Sequence, residues 1–295
     1  VYKRQDYNIS PIQAGKKIYN NENYNNQFNF AKKNFIDFIS GNKKATQVFD
    51  IEKIAKFFAL ADIFGAWHGT ELDDLKFYFN PYKSILEPIP DDMFDEPRNK
   101  FSRDFAIFKI RNLVSYNIFF EKIFSDLDFL NLYYKYLKLY SDKEFVQNIF
   151  KTQNKELKTI NFKIAKDDVF FQSMIKKNIF YNATSIRKFI NPKYPLELVE
   201  IKKGQNEIDF RIQNNFYFPI KLNTILLKDL RNVSKYKKFK INKVIIPKKI
   251  SLKTSFNKDH FELTKSKIHS IKILDDEIKD LSLSLIHISE PTRRK

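Results

Sequence analysis

The clearest helical spacing lies between residues 50 and 65. Ile51, Ile54, Ala55, Phe58 and Leu60 recur at a helical period, Asp50 occupies an N-cap position and Gly65 a C-terminal stop, which predicts one amphipathic helix up to Phe64. The stretch before it, 6–47, is rich in Asn and weakly patterned, and its periodic part predicts a helix over 28–40 that ends before Gly41. Beyond Gly65 the period falls to two. The runs 75–79 and 85–89, separated by Asn80-Pro81-Tyr82-Lys83-Ser84, predict an antiparallel hairpin. From 101 to about 190 the pattern is helical again and dense in Phe, Leu and Tyr, with a capping box at Ser141 and Glu144 opening one helix. Asn191-Pro192-Lys193-Tyr194-Pro195 stops that pattern, and 208–212 and 218–227 then alternate as strands, with Gly204 in a turn. The predicted fold class is α+β: a mostly helical lobe carrying a β-hairpin over 6–195, then a small β-rich, sandwich-like module over 196–282.

Composition narrows the function classes. The chain has 295 residues, 43 % hydrophobic and 30 % charged, which is a folding composition and excludes collagen-like and disordered readings. No apolar run reaches the ~18 residues of a membrane span, and no signal peptide is visible. Zero cysteines exclude disulfides and thiolate chemistry. The net charge of +18 invites a nucleic-acid partner, yet 31 Phe and 15 Tyr stand among abundant Asn, Ile and Lys, the residues of AT-rich codons. The basicity therefore argues only weakly for a polyanion, and a nucleic-acid partner is not expected.

The two ends read as something other than protein. Val-Tyr-Lys-Arg-Gln at 1–5 can be encoded by a DNA string whose reverse complement translates as Leu-Ser-Leu-Ile-His, the pentapeptide at 283–287. Both match the terminal repeat of a transposon-based sequencing adapter, and the residues after His287 read as its continuation. The expectation is that 1–5 and 283–295 are adapter translations that pack poorly, flanking an internal piece of a longer protein.

One window departs from the basic chain. Between Asp62 and Glu96 nine acidic residues face two lysines, and the same window holds Trp67, the only tryptophan, with His68, Gly65 and Gly69. A hairpin brings the residues before its first strand beside those after its second, so Asp73 and Asp74 should converge with Asp91 and Asp92 at its open end, near the His68 loop. Carboxylates that close repel unless a cation lies between them, and oxygen ligands suit Mg²⁺. A solvated acidic turn is the structural alternative.

At these residues the sequence resembles the CotH kinase family, atypical protein-kinase-like proteins named after a spore coat protein. The likeness runs through Phe49-Asp50-Ile51-Glu52-Lys53-Ile54-Ala55, Leu60-Ala61-Asp62, Trp67-His68, Phe77-Tyr78-Phe79-Asn80-Pro81 and Leu86-Glu87-Pro88-Ile89 to Asp92. It implies phosphoryl transfer from ATP to a protein hydroxyl, dependent on Mg²⁺ or Mn²⁺. Asp92 is then the metal-binding acid that closes the hairpin, Asp74 falls where many relatives carry a metal-ligating Asn, and His68 falls in the catalytic-base region where active relatives carry Asp. The resemblance implies that the nucleotide lobe with its phosphate-binding Lys precedes residue 6. Asp91 joins Asp74 and Asp92 as a candidate metal ligand, and His68 and Asp92 are the candidate catalytic residues. The departures at His68 and Asp74 also suit a non-catalytic relative, a structural or cell-surface module that binds a protein partner.

Other motifs carry less. Asn182-Ala183-Thr184 matches a glycosylation acceptor but is expected to cap a helix through 186–189. Lys235, Lys237, Lys238, Lys240 and Lys243, interleaved with Tyr236 and Phe239, read as a solvated strand face or loop. His260 and His269 lack the spacing of a metal pair.

Overall fold

The structure, a computed structural model, describes residues 9–11, 15–66, 68–70, 74–91, 118–167, 175–191, 196–203, 207–214, 216, 218–229, 236–245, 269–274 and 283–288. The fold is α+β, with helices first and antiparallel sheets after them. The chain divides into two compact units, Val1–Ile190 and Asn191–Lys295.

In the first unit α1 (Gly15–Asn20), α2 (Glu22–Ser40), α3 (Ala45–Val48) and α4 (Ile51–Phe64) lead to a 3₁₀ turn (His68–Thr70) and the strands β1 (Lys76–Asn80) and β2 (Ile85–Ile89). The helices α5 (Ile118–Ile123), α6 (Leu127–Tyr140), α7 (Lys143–Thr152), α8 (Asn154–Asp167) and α9 (Ile175–Ile190) follow. α4 has the predicted ends: Asp50 accepts a bond from the Lys53 N–H at 3.1 Å, and Gly65 sits at φ 72°, a left-handed conformation in which a Cβ is unfavourable. α2 starts at Glu22, earlier than the predicted 28, because Asn21 caps it and its Asn-rich first turns bond among themselves, Gln27 to Asn23 and Asn29 to Asn25. Those polar residues hid the period. The capping box at Ser141 does not form. Ser141 keeps helical dihedrals as the C-cap of α6, and Asp142 accepts the Phe145 N–H at 2.9 Å instead.

Aromatic packing holds this unit together. α2 contributes Phe35 and Phe38, α5 contributes Phe119, and Phe49 and Phe77 join them, with Phe38 and Phe49 edge-to-face at 5.0 Å and Phe35 stacked on Phe119 at 5.7 Å. A second group forms where α6 packs on α4, with Phe58, Phe124, Phe129 and Tyr133 within 5.0–6.0 Å of their ring neighbours. Such pairs add about 0.5–1.5 kcal/mol each beyond area burial. The Phe-rich composition is thus used structurally.

The second unit contains two three-stranded antiparallel sheets. One has the order β3 (Leu196–Lys203), β4 (Glu207–Asn214), β7 (His269–Leu274), and the other β6 (Tyr236–Ile245), β5 (Ile220–Asp229), β8 (Leu283–Ile288). Ile212, Phe218, Ile220, Leu222 and Ile245 are buried. Asn214, 1 % exposed, ties the sheets together: its amide donates to the Phe218 and Ile245 carbonyls at 2.9 and 3.0 Å and its oxygen accepts from the Phe216 N–H. Lys237, Lys238, Lys240 and Lys243 of the lysine run lie on β6, an edge strand among the described residues, where charge deters further strand pairing, and Lys235 lies outside the described residues. Segment 283–288 pairs with β5 as β8, a single strand pairing that the adapter expectation allows. Main-chain ladders need no particular sequence, and Leu-Ser-Leu-Ile-His-Ile alternates with strand-forming residues. The other expected adapter residues, 1–5 and 289–295, and the turn at Gly204 lie outside the described residues.

Candidate functional site

The hairpin forms as the sequence predicts. β1 and β2 pair antiparallel from Asn80↔Ile85 to Lys76↔Ile89, and Asn80 shapes the turn by accepting the Tyr82 and Lys83 N–H groups at 3.1 and 3.2 Å. The chain leading in from Asp74 and the chain leading out to Asp91 therefore meet the hairpin at the same, open end.

What Asp91 meets there is a cation already in the chain. Its carboxylate forms an ion pair with the Lys76 ammonium, while the Asp74 side chain is half-buried. The charge that converging carboxylates require is thus supplied for Asp91 by a lysine. Among the described residues no group of three or more His, Asp or Glu is arranged to hold a metal ion. Of the acids predicted at the mouth, the described residues include Asp74 and Asp91, hard oxygen donors of the kind that suits Mg²⁺, which commonly takes one or two carboxylates and completes its shell with water and phosphate. His68 opens the 3₁₀ turn that follows α4 in the chain. Asp92, Asp73 and Trp67 lie outside the described residues.

The closed end of the hairpin is a second polar cluster, clamped to the N-terminus of α4. The Asp50 N–H donates to the Leu86 carbonyl at 2.9 Å, and Phe49 bridges to Leu86 in parallel. Glu87 receives the Lys53 ammonium at 2.5 Å and the Asn80 amide at 3.0 Å, with Lys83 at 3.9 Å. The hydrogen bond from Lys53, helped by that from Asn80, lowers the Glu87 pKa; the same bond raises that of Lys53. Sequence reasoning missed this clamp, whose partners lie 34 residues apart.

Two further acids, both on α4, act between helices. Asp62, 3 % exposed, accepts from the hydroxyl of fully buried Tyr133, and Glu52 accepts from Tyr136 and pairs with Lys56 at 3.0 Å. Burial, then the Asp62 charge, pushes the Tyr133 pKa well up, while the Tyr136 bond leads the factors lowering that of Glu52. A signal for Asp62 was present: an acid in line with Phe58, Ala55 and Ile54 on the apolar stripe of α4 must be buried with a donor. Asn182 does not cap a helix. It lies inside α9 and donates to the Ile63 carbonyl at 3.1 Å, latching α9 to the end of α4.

Compared with known proteins, the chain matches no family model, no curated protein and no solved structure.

Proposed function

We propose that the helical unit is the metal-site lobe of a CotH-kinase-like domain, transferring the γ-phosphoryl group of ATP to a protein hydroxyl with Mg²⁺ or Mn²⁺. The observation that carries the reading is the hairpin register, which brings the chain entering β1 from Asp74 and the chain leaving β2 toward Asp91 to the same end. In this reading Asp92 and Asp74 hold the metal, with Asp91 beside them, and His68 positions the hydroxyl or takes its proton. The oxygen–phosphorus bond to ADP would break as that to the acceptor oxygen forms, and a metal held by Asp74 and Asp92 would supply charge compensation for the phosphoryl oxygens. Lys76 tempers the acidity of the mouth through its pair with Asp91.

A second reading, a non-catalytic module that binds a protein partner, is favoured by the same ion pair. The Lys76 ammonium takes the place of a metal at Asp91, and Asp50, Glu52, Asp62 and Glu87 all serve as caps or links. Mg²⁺-dependent ATP binding and phosphate transfer by the full-length protein separate the readings. Phosphoryl transfer predicts a loss of orders of magnitude in Asp92→Asn and of ~10²-fold or more in His68→Ala. A wild-type chain that binds no nucleotide with either metal present rules out the kinase reading and leaves the binding module.

A further inference from the structure

A separate cleft of about 310 Å³ lies between α7, α8 and α9, lined by Gln147, Phe150, Lys151, Asn154, Lys176 and Phe180. It exists because α7 ends at Thr152 with Gln153 as its C-cap, whose N–H bonds to the Ile149 carbonyl at 2.9 Å, and α8 begins at once with Asn154. The chain turns there without a loop to fill the notch, which the first turns of α9 border.

The lining is chemically divided. Phe150 and Phe180 lie nearly parallel, 5.6 Å apart at 22°, and form an apolar wall. The Lys176 ammonium stands 5.8 Å from the Phe150 ring centre, and Lys151 follows Phe150 directly in α7. Gln147 and Asn154 add amide donors and acceptors. The six residues include no carboxylate, and among the described residues neither lysine has an ion-pair partner.

We propose that this cleft binds a phosphate monoester carried on an aromatic ring. Two ammonium groups match the charge of about −1.5 to −2 that such a phosphate bears at pH 7, and the Phe wall offers a surface against which a ring packs offset or edge-on. The ligand is either a free aryl phosphate or the phosphotyrosine side chain of a protein. The site stands apart from the hairpin residues and does not depend on the kinase reading.

The test is isothermal titration of the chain with phenyl phosphate, a phosphotyrosine peptide and inorganic phosphate. Phenyl phosphate should bind at one site, inorganic phosphate at least about tenfold more weakly for want of the ring, and K151Q/K176Q should weaken phenyl phosphate by about tenfold or more. Both lysines are exposed, so these substitutions leave the core untouched, and each single variant should lose part of the effect. Tighter binding of the peptide identifies a protein-borne ligand and equal binding a free one, and either supports the site. No binding of phenyl phosphate at ~1 mM, undiminished binding by the double variant, or equal affinity for inorganic phosphate overturns the proposal.

Discussion

Replacing Tyr133 with Phe deletes one hydroxyl from the centre of the helical unit. Tyr133 has no exposed surface and Asp62 only 3 %, so water cannot take over the lost bond to the carboxylate. The ring itself stays in place against Phe129 and Phe124, at 5.5 and 5.6 Å, so little cavity opens and the effect is almost wholly electrostatic. A hydrogen bond to a charged group contributes about 1.5–3 kcal/mol, and burial puts this one at the upper end. The partner lost is a neutral hydroxyl and not a charge, which holds the cost below the ~3–5 kcal/mol of a broken buried ion pair. The expected loss is about 2–3 kcal/mol, or roughly 5–10 °C in Tm for a unit of this size. Urea and thermal unfolding followed by far-ultraviolet circular dichroism measure it, and a cycle with Asp62→Asn should give a coupling of at least ~1 kcal/mol. A Y133F chain within ~0.5 kcal/mol of wild type, or additive single variants, would refute the buried link.

Two other perturbations probe the clamp and the β-rich unit. Glu87 has a lowered pKa in the fold, so its stabilising contribution is present above its unfolded value of about 4.3 and is lost as pH falls through the folded one; E87Q should therefore flatten the acid limb of a stability–pH profile. Its cost near neutral pH should be about 1 kcal/mol, because the Lys53 side chain is 48 % exposed and solvent screens the pair. Asn214→Ala strips the donor from two carbonyls in a buried site and should cost about 2–3 kcal/mol, seen as faster amide exchange in β4 and β5 while the helical unit keeps its protection.

Local chemistry alone determined several elements. Asp50 and Gly65 bounded α4 because a cap oxygen and a glycine at positive φ act within one turn. Asn80 and period-two runs placed β1 and β2 because turn and ladder join near neighbours. The same short-range reasoning placed β4 and β5 to within a few residues. It failed where two local signals competed, as at Ser141 and Asp142, and where polar side chains supported a helix without an apolar stripe, as at the start of α2. Tertiary structure alone decided which acids serve which partners. Asp62 meets Tyr133 71 residues away, Glu87 meets Lys53, and Asp91 meets Lys76 across the hairpin mouth. A carboxylate carries the same charge in any sequence context, but burial and the nearest donor determine its role, and both arise only when distant segments pack.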